Sequence, residues 1–140
     1  MEFDIRFDCS GVDWLVVAET LKSVGMAYFE PDTHRRAFEA SHTTVFVYHR
    51  GQMIGFGRAI SDGVYQAAVY DVAILSEFQG IGLGRTIMTQ IFSRISHCNI
   101  ILYASIGKED FYRTLGMRKM KTGMALFRNA EAMTAKGFTE

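Results

Sequence analysis

Hydrophobic positions along the chain switch between two periods, and the switches lay out a mixed fold. Phe3, Ile5 and Phe7 alternate with Asp4, Arg6 and Asp8, the period of two expected of a half-buried strand. Ser10 followed by Asp13 reads as a capping box, and Leu15, Val17, Ala18 and Leu21 continue at helical spacing until Gly25. Residues 26–31 form a loop rich in aromatics, after which Asp32 is expected to cap a second short helix running to about Ser41. Val45-Phe46-Val47-Tyr48 and Met53-Ile54-Gly55-Phe56 flank Arg50-Gly51-Gln52, a hairpin with a glycine turn. Ser61-Asp62-Gly63 is the next turn, and residues 64–75 give a long third member of the meander. Gly55 and Gly57 weaken the second strand and mark a bulge or close packing.

Beyond the meander the pattern changes again. Ile87, Met88, Ile91, Phe92 and Ile95 share one helix face. Residues 99–103 are a continuous apolar run, expected to be a strand buried on both faces. Residues 108–114 should be a short helix and Met124-Ala125-Leu126-Phe127 the last strand. The polar tail, residues 128–140, reads as a short docked or frayed segment.

Between the strand ending at Leu75 and the helix bearing Ile87 stands Ser76-Glu77-Phe78-Gln79-Gly80-Ile81-Gly82-Leu83-Gly84-Arg85. Alternate glycines let backbone approach a ligand closely, and the first turn of a helix leaves N–H groups unpaired. Such a loop suits an anion, most often a phosphate. A dinucleotide fold needs Gly-x-Gly-x-x-Gly, and Gly80-x-Gly82-x-Gly84 lacks the final interval. A nucleotide P-loop fails at two positions, with Gln79 in place of its first glycine and Arg85 in place of its lysine.

The pattern that fits is Gln-x-x-Gly-x-Gly, in Gln79, Gly82 and Gly84, which resembles the coenzyme A pyrophosphate loop of the GNAT acetyltransferase superfamily. Asp71-Val72-Ala73-Ile74 resembles that family's splayed fourth strand, and Asp110-Phe111-Tyr112-Arg113-Thr114-Leu115-Gly116-Met117 resembles its late Phe-Tyr-x-x-x-Gly-Phe element, with Met117 in the final aromatic position. The order of elements matches from Thr43 to Phe127; the first forty residues match only in outline. The resemblance implies an α/β (α+β) fold: a mixed, mostly antiparallel central sheet of about six to seven strands, splayed at the cofactor site and flanked by about four helices. It also implies acetyl-CoA as co-substrate, a small-molecule amine as acceptor, and transfer without a covalent acyl-enzyme. No Ser-His-Asp or Cys-His arrangement is recognisable to argue otherwise. A non-catalytic module that binds acyl-CoA for sensing is the alternative.

Composition narrows the class. At 140 residues and 49% hydrophobic, the chain is expected to fold as one domain, residues 1–140, without staples. Formal net charge is zero and no basic run occurs, so neither nucleic acid nor an anionic membrane is an expected partner. Cys9 and Cys98 lack disulfide-framework or zinc-ligand spacing, so reduced buried thiols, no metal and a cytoplasmic location are expected. The first residues carry no secretory pattern, and no run of about eighteen apolar residues occurs. The resemblance also allows a homodimer.

Candidate chemistry then follows residue by residue. Backbone amides of Gly80, Ile81, Gly82, Leu83, Gly84 and Arg85, behind Gln79, would cradle the pyrophosphate. Strand backbone at Val72, Ala73 and Ile74 would pair with the pantetheine arm, and the resemblance puts an N–H at or beside Ile74 against the thioester carbonyl. The Arg85 side chain is either a phosphate contact or a solvated first-turn residue. Tyr112 matches the tyrosine that many family members place beside the coenzyme A sulfur as proton donor; the plainer reading is helix packing. A phenol pKa of roughly 10 suits that donor role. Asp71 is the candidate general base, or else a hydrogen-bonded strand-end aspartate. Where the resembled glucosamine phosphate acetyltransferases have Glu-Asp, this chain has Tyr70-Asp71, which puts an amino-sugar phosphate acceptor in doubt. Acceptor-rim candidates are Tyr28, Phe29, His34, Arg58 and Tyr65, with Arg58 facing across the meander beside Tyr65 to meet an acidic group, or else facing solvent. His97, at a helix C-terminus, is read as structural.

Overall fold

The computed structural model describes residues 1–140, which form two compact units, Met1–Leu102 and Tyr103–Glu140. In the first unit β1 (Asp4–Arg6), α1 (Trp14–Ser23), α2 (Pro31–Glu39), β2 (Thr43–His49), β3 (Gln52–Ser61), β4 (Gln66–Ile74), α3 (Leu83–Arg94) and β5 (Asn99–Ile101) follow in order. The second contains α4 (Glu109–Thr114) and α5 (Ala130–Ala135). The strands form one sheet in sequence order, antiparallel from β1 to β4 and closed by a parallel β4–β5 pair.

Both faces of the sheet are covered, because β2 is apolar in both directions. Phe46 and Tyr48 of β2, with Met53 and Phe56 of β3 and Ala73 of β4, meet Val17 and Leu21 of α1 and Phe38 of α2. On α3, Leu83, Ile87, Met88 and Ile91 are buried. Gly55 and Gly57 make room for α3: a Cβ at Gly57 would stand 3.1 Å from Ile87, Ile91 and Val72 side-chain atoms, and one at Gly55 would be 3.2 Å from Ile87. The expected bulge is also present, since the β3–β4 register shifts between Phe56 and Arg58. The hairpin turn has Arg50 at φ 50° and Gly51 at φ 76°, the paired left-handed residues of a two-residue turn matched to strand twist.

Several local expectations are corrected. The N-cap of α1 is Asp13, whose carboxylate accepts from the Leu15 N–H at 3.1 Å; Ser10 instead donates its N–H to Asp8. That helix does end as read, with Gly25 at φ 79° and a Schellman pair, Met26 N–H to Leu21 C=O and Gly25 N–H to Lys22 C=O. For α2 the N-cap is Glu30, because Pro31 takes the first helical position and forces its predecessor extended; Asp32 lies inside the first turn and pairs with Arg35. β5 is shorter than expected and is an edge strand, with Ile101 half exposed. The sheet has five strands rather than six to seven, with five α-helices. Residues 124–127 form no strand: Met124 and Leu126 stand 96% and 84% exposed, so the apolar side chains that suggested a buried strand do not pack as one. The tail forms α5, capped by the Asn129 side chain accepting from the Ala132 N–H.

Candidate functional site

Strand β4 is the frame of the site. It pairs with β5 only from Gln66 to Ala68 and then runs on to Ile74 against β3 alone. Leu75 donates its N–H to Ile54 C=O on β3, so by strand alternation the N–H and C=O of Ile74 and Val72 point to the opposite side, where β5 has parted. Ile74 therefore presents backbone on the edge that β5 leaves open, while Ala73 is core.

At the end of that edge a single 3₁₀ turn, Ser76–Phe78, leads into the glycine loop. Gly80 (φ 79°) and Gly82 (φ 91°) both adopt the left-handed backbone that disfavours a side chain, and no atom lies within 4 Å of where a Cβ would stand at either. Gly82 is the N-cap of α3 and has no side chain with which to cap the first turn, where a helix presents its positive end to an anion. Arg85 follows, exposed, in the same turn, and Ile81 is half exposed. Gln79 has a role its motif position did not reveal. Its Nε2 donates to Ile74 C=O at 2.9 Å, tying the loop to the strand end. The opening at Gly80 and Gly82, where no atom lies within 4 Å of a would-be Cβ, is of the kind a pyrophosphate needs to approach backbone.

At the β4 bulge Asp71, Arg58 and His34 come together. Asp71 has φ 57°, a left-handed conformation that Asp tolerates better than most residues. Its Oδ2 accepts from Arg58 Nε at 2.7 Å, and both side chains are largely buried. The guanidinium lies 5.5 Å from the ring centres of Phe38 and Tyr70 and reaches the Ser41 hydroxyl at 3.3 Å. Arg58 is thus engaged by Asp71 in a largely buried ion pair rather than facing solvent. Tyr70, its register partner, stands where Tyr65 was expected. Tyr65 lies in the turn before β4, where its C=O accepts from Asn99, and its side chain is exposed. Tyr70, Phe38 and Ser41 were not singled out from sequence; cross-strand register, which a bulge shifts, is what identifies them.

His34 belongs to the same cluster. It is buried, and its Nε2 accepts the Phe29 N–H at 2.8 Å, which assigns the ring proton to Nδ1 when the ring is neutral. Burial pushes its pKa below the ordinary value; the Asp71 charge opposes that and the Arg58 charge adds to it. Phe29 and Tyr28 are exposed, as a rim would be, and Tyr28 lies beneath the Lys22 ammonium. In the second unit, Tyr112 on α4 packs edge-on to Phe111, and burial raises its phenol pKa above the usual 10. It is fully protonated at neutral pH. His97 meets Gly63 C=O at 3.1 Å, a structural contact as read.

A hollow of about 750 Å³ is lined by Met1 to Asp4, Tyr48, His49, Arg50 and Phe78, and it contains neither loop glycines nor Asp71. The cofactor reading rests on backbone geometry rather than on that cavity. No group of three or more His, Cys, Asp or Glu side chains is arranged to hold a metal ion, and no helix is long and apolar enough to cross a membrane.

Comparison with known proteins agrees with this geometry. A family model described as an acetyltransferase (GNAT) domain matches residues 12–128. The chain is 32% identical over 139 residues to serotonin N-acetyltransferase 2, chloroplastic, of Oryza sativa subsp. japonica, covering 92% of this chain and 70% of that one. It is 37% identical over 125 residues to the uncharacterized N-acetyltransferase ycf52 of Porphyra purpurea, covering 87% and 67%. Among solved structures, a Staphylococcus aureus protein described as a probable acetyltransferase superposes with a TM-score of 0.80 at 22% identity, over 90% of this chain and 99% of that one. Glucosamine-6-phosphate N-acetyltransferase of Arabidopsis thaliana does so at 0.70 and 18%, over 91% and 99%; both show likeness of fold. With a glycine loop, a splayed fourth strand and a family match over most of its length, the chain belongs to the GNAT acetyltransferase family.

Proposed function

We propose that this protein transfers an acetyl group from acetyl-CoA to the primary amine of a small molecule, by direct attack and without a covalent acyl-enzyme. The observation that carries the reading is the uncapped, glycine-rich N-terminus of α3 set at the end of the open edge of β4. Acetyl-CoA supplies the thioester and leaves as the free thiol. The loop from Gly80 to Arg85 holds the pyrophosphate, and Val72 and Ile74 align the pantetheine arm as an added strand would. The Ile74 N–H, on the open side of β4, donates to the thioester oxygen as negative charge builds there. Asp71 receives one proton of the incoming ammonium, directly or through water, which frees the nitrogen lone pair to form the C–N bond. As the C–S bond breaks, its electron pair stays on sulfur; Tyr112 gives that sulfur its proton and regains one from the amide nitrogen.

The acceptor class follows from the surroundings of Asp71. Arg58 is paired with Asp71 and burial favours a neutral His34, so neither is a free cation beside Asp71, whereas Phe29 and Tyr28 offer exposed aromatic surface, with the Lys22 ammonium over the Tyr28 ring. An aromatic amine without an acidic group suits such a site, and serotonin, in the name of the rice relative, is one. Free thiols at Cys9 and Cys98 fit a reducing compartment, the cytoplasm or its plastid counterpart. The hold of Arg58 on Asp71 favours a second reading, an acyl-CoA-binding sensor that does not turn over. Thiol release from acetyl-CoA, measured over serotonin, 2-phenylethylamine, polyamines and amino acids, separates the two. Amine-dependent release supports the enzyme, and saturable binding without release from any amine supports the sensor.

A further inference from the structure

Helix α2 starts in an unusual way. Its N-cap, Glu30, makes no side-chain hydrogen bond to the first turn, and Pro31 has no N–H to satisfy. Counted from that cap, Phe29 is the residue just outside the helix and His34 the fourth residue inside it. These are the two positions that a hydrophobic staple joins to fix the angle at which a chain enters a helix. Here the staple is also a hydrogen bond. Phe29 N–H donates to His34 Nε2 at 2.8 Å, and the two rings pack with centres 5.7 Å apart, tilted by 51°. Met26 anchors the start of this loop, donating to Leu21 C=O and packing against the core, and Glu30 anchors its end. The clasp holds the middle, which carries exposed Tyr28 and Phe29.

We propose that His34 is a positioning residue for the acceptor amine, its neutral imidazole clasping the Phe29 backbone so that the aromatic rim is fixed beside the Arg58–Asp71 pair. The inference rests on the function proposed above and adds to it a residue that acts through the rim rather than on the reacting atoms. Only the neutral Nδ1–H form can accept at Nε2; a protonated ring would face Phe29 with a second donor. The charged groups acting on the ring are Asp71 from β4 and Arg58 from β3, one favouring and one opposing protonation, and burial keeps the ring neutral.

Nitrogen-15 NMR of the full chain tests the clasp without any substrate. At pH 7.5 the wild-type ring should show an acceptor-type Nε2, and the Phe29 amide should be protected from hydrogen exchange. His34→Leu should lose that protection, and His34→Gln, whose Oε1 is an acceptor at similar reach, should restore it. In thiol-release kinetics with the best amine of the panel above, starting with serotonin, His34→Leu should raise KM about tenfold, the equivalent of one hydrogen bond, with a much smaller change in kcat. His34→Gln should recover most of that KM, and the acetyl-CoA Kd should not move in either variant. An unprotected Phe29 amide in the wild type would overturn the clasp, whatever the protein acetylates. A broken clasp with unchanged KM would overturn its role at the rim. Failure of the wild type to bind acetyl-CoA would count against the proposed function itself, and the NMR comparison would still decide the clasp.

Discussion

Asp71, the proposed base, combines a left-handed backbone with a largely buried ion pair. A left-handed backbone costs an L-residue about 1–2 kcal/mol, and here the ion pair with Arg58 holds the carboxylate in place despite it. Its position before the glycine loop was enough to nominate it from sequence. Its backbone conformation and its partner were not legible, because both arise from a register shift between two strands rather than from local composition. Asp71→Asn tolerates the same backbone but cannot take a proton, so turnover should fall by about 100-fold or more while acetyl-CoA affinity is kept. A variant with full turnover in steady-state thiol release would remove Asp71 from the mechanism. For Tyr112→Phe, turnover should fall with little change in acetyl-CoA affinity, and single-turnover rates at saturating amine report it directly. Tyr112 was nominated by its place in a motif, and burial keeps its phenol protonated at neutral pH.

At the level of elements, legibility tracked how local the determining chemistry is. The hairpin at Arg50 and Gly51 and the α3 entrance at Gly82 were readable because glycine spacing reports backbone conformation directly. The entrance of α2 was misplaced because Pro31 overrides the capping preference of Asp32, and the strand expected at residues 124–127 failed because a short apolar run says nothing about whether a partner strand is present. Gly57 was read as bulge or close packing, and both hold. Its side chain would enter the gap between β3 and α3, so Gly57→Val should destabilise the fold by roughly 1–3 kcal/mol, seen as a lower denaturation midpoint. A midpoint equal to wild type would mean that α3 can move away from the sheet at no cost. Helix α2 should carry a pH signature as well. The folded His34 pKa lies below its ordinary 6.5, so the unfolded chain takes up the proton first. This contribution to stability is fully present above about pH 6.5, declines as pH falls through that value, and levels off once the folded ring is protonated too. Denaturation curves from pH 8 to 5 should show that decline, and His34→Gln should flatten it.

Across the whole molecule, formal net charge is zero, so net charge supplies no long-range pull on a basic protein or a nucleic acid. Family and fold class were legible because two motifs in the right order constrain a chain far more than either alone. The acceptor was not, since its proposed surroundings draw on α2, β3, β4 and the loop before α2, whose side chains meet only after folding. The central claim is that the loop from Gly80 to Arg85 is an acetyl-CoA cradle, and calorimetric titration of acetyl-CoA into wild type and Gly82→Glu tests it most directly. Saturable one-site binding to the wild type, lost when a carboxylate is placed at the entrance of α3, is the predicted result. Equal binding by both proteins, or none by the wild type, would contradict it.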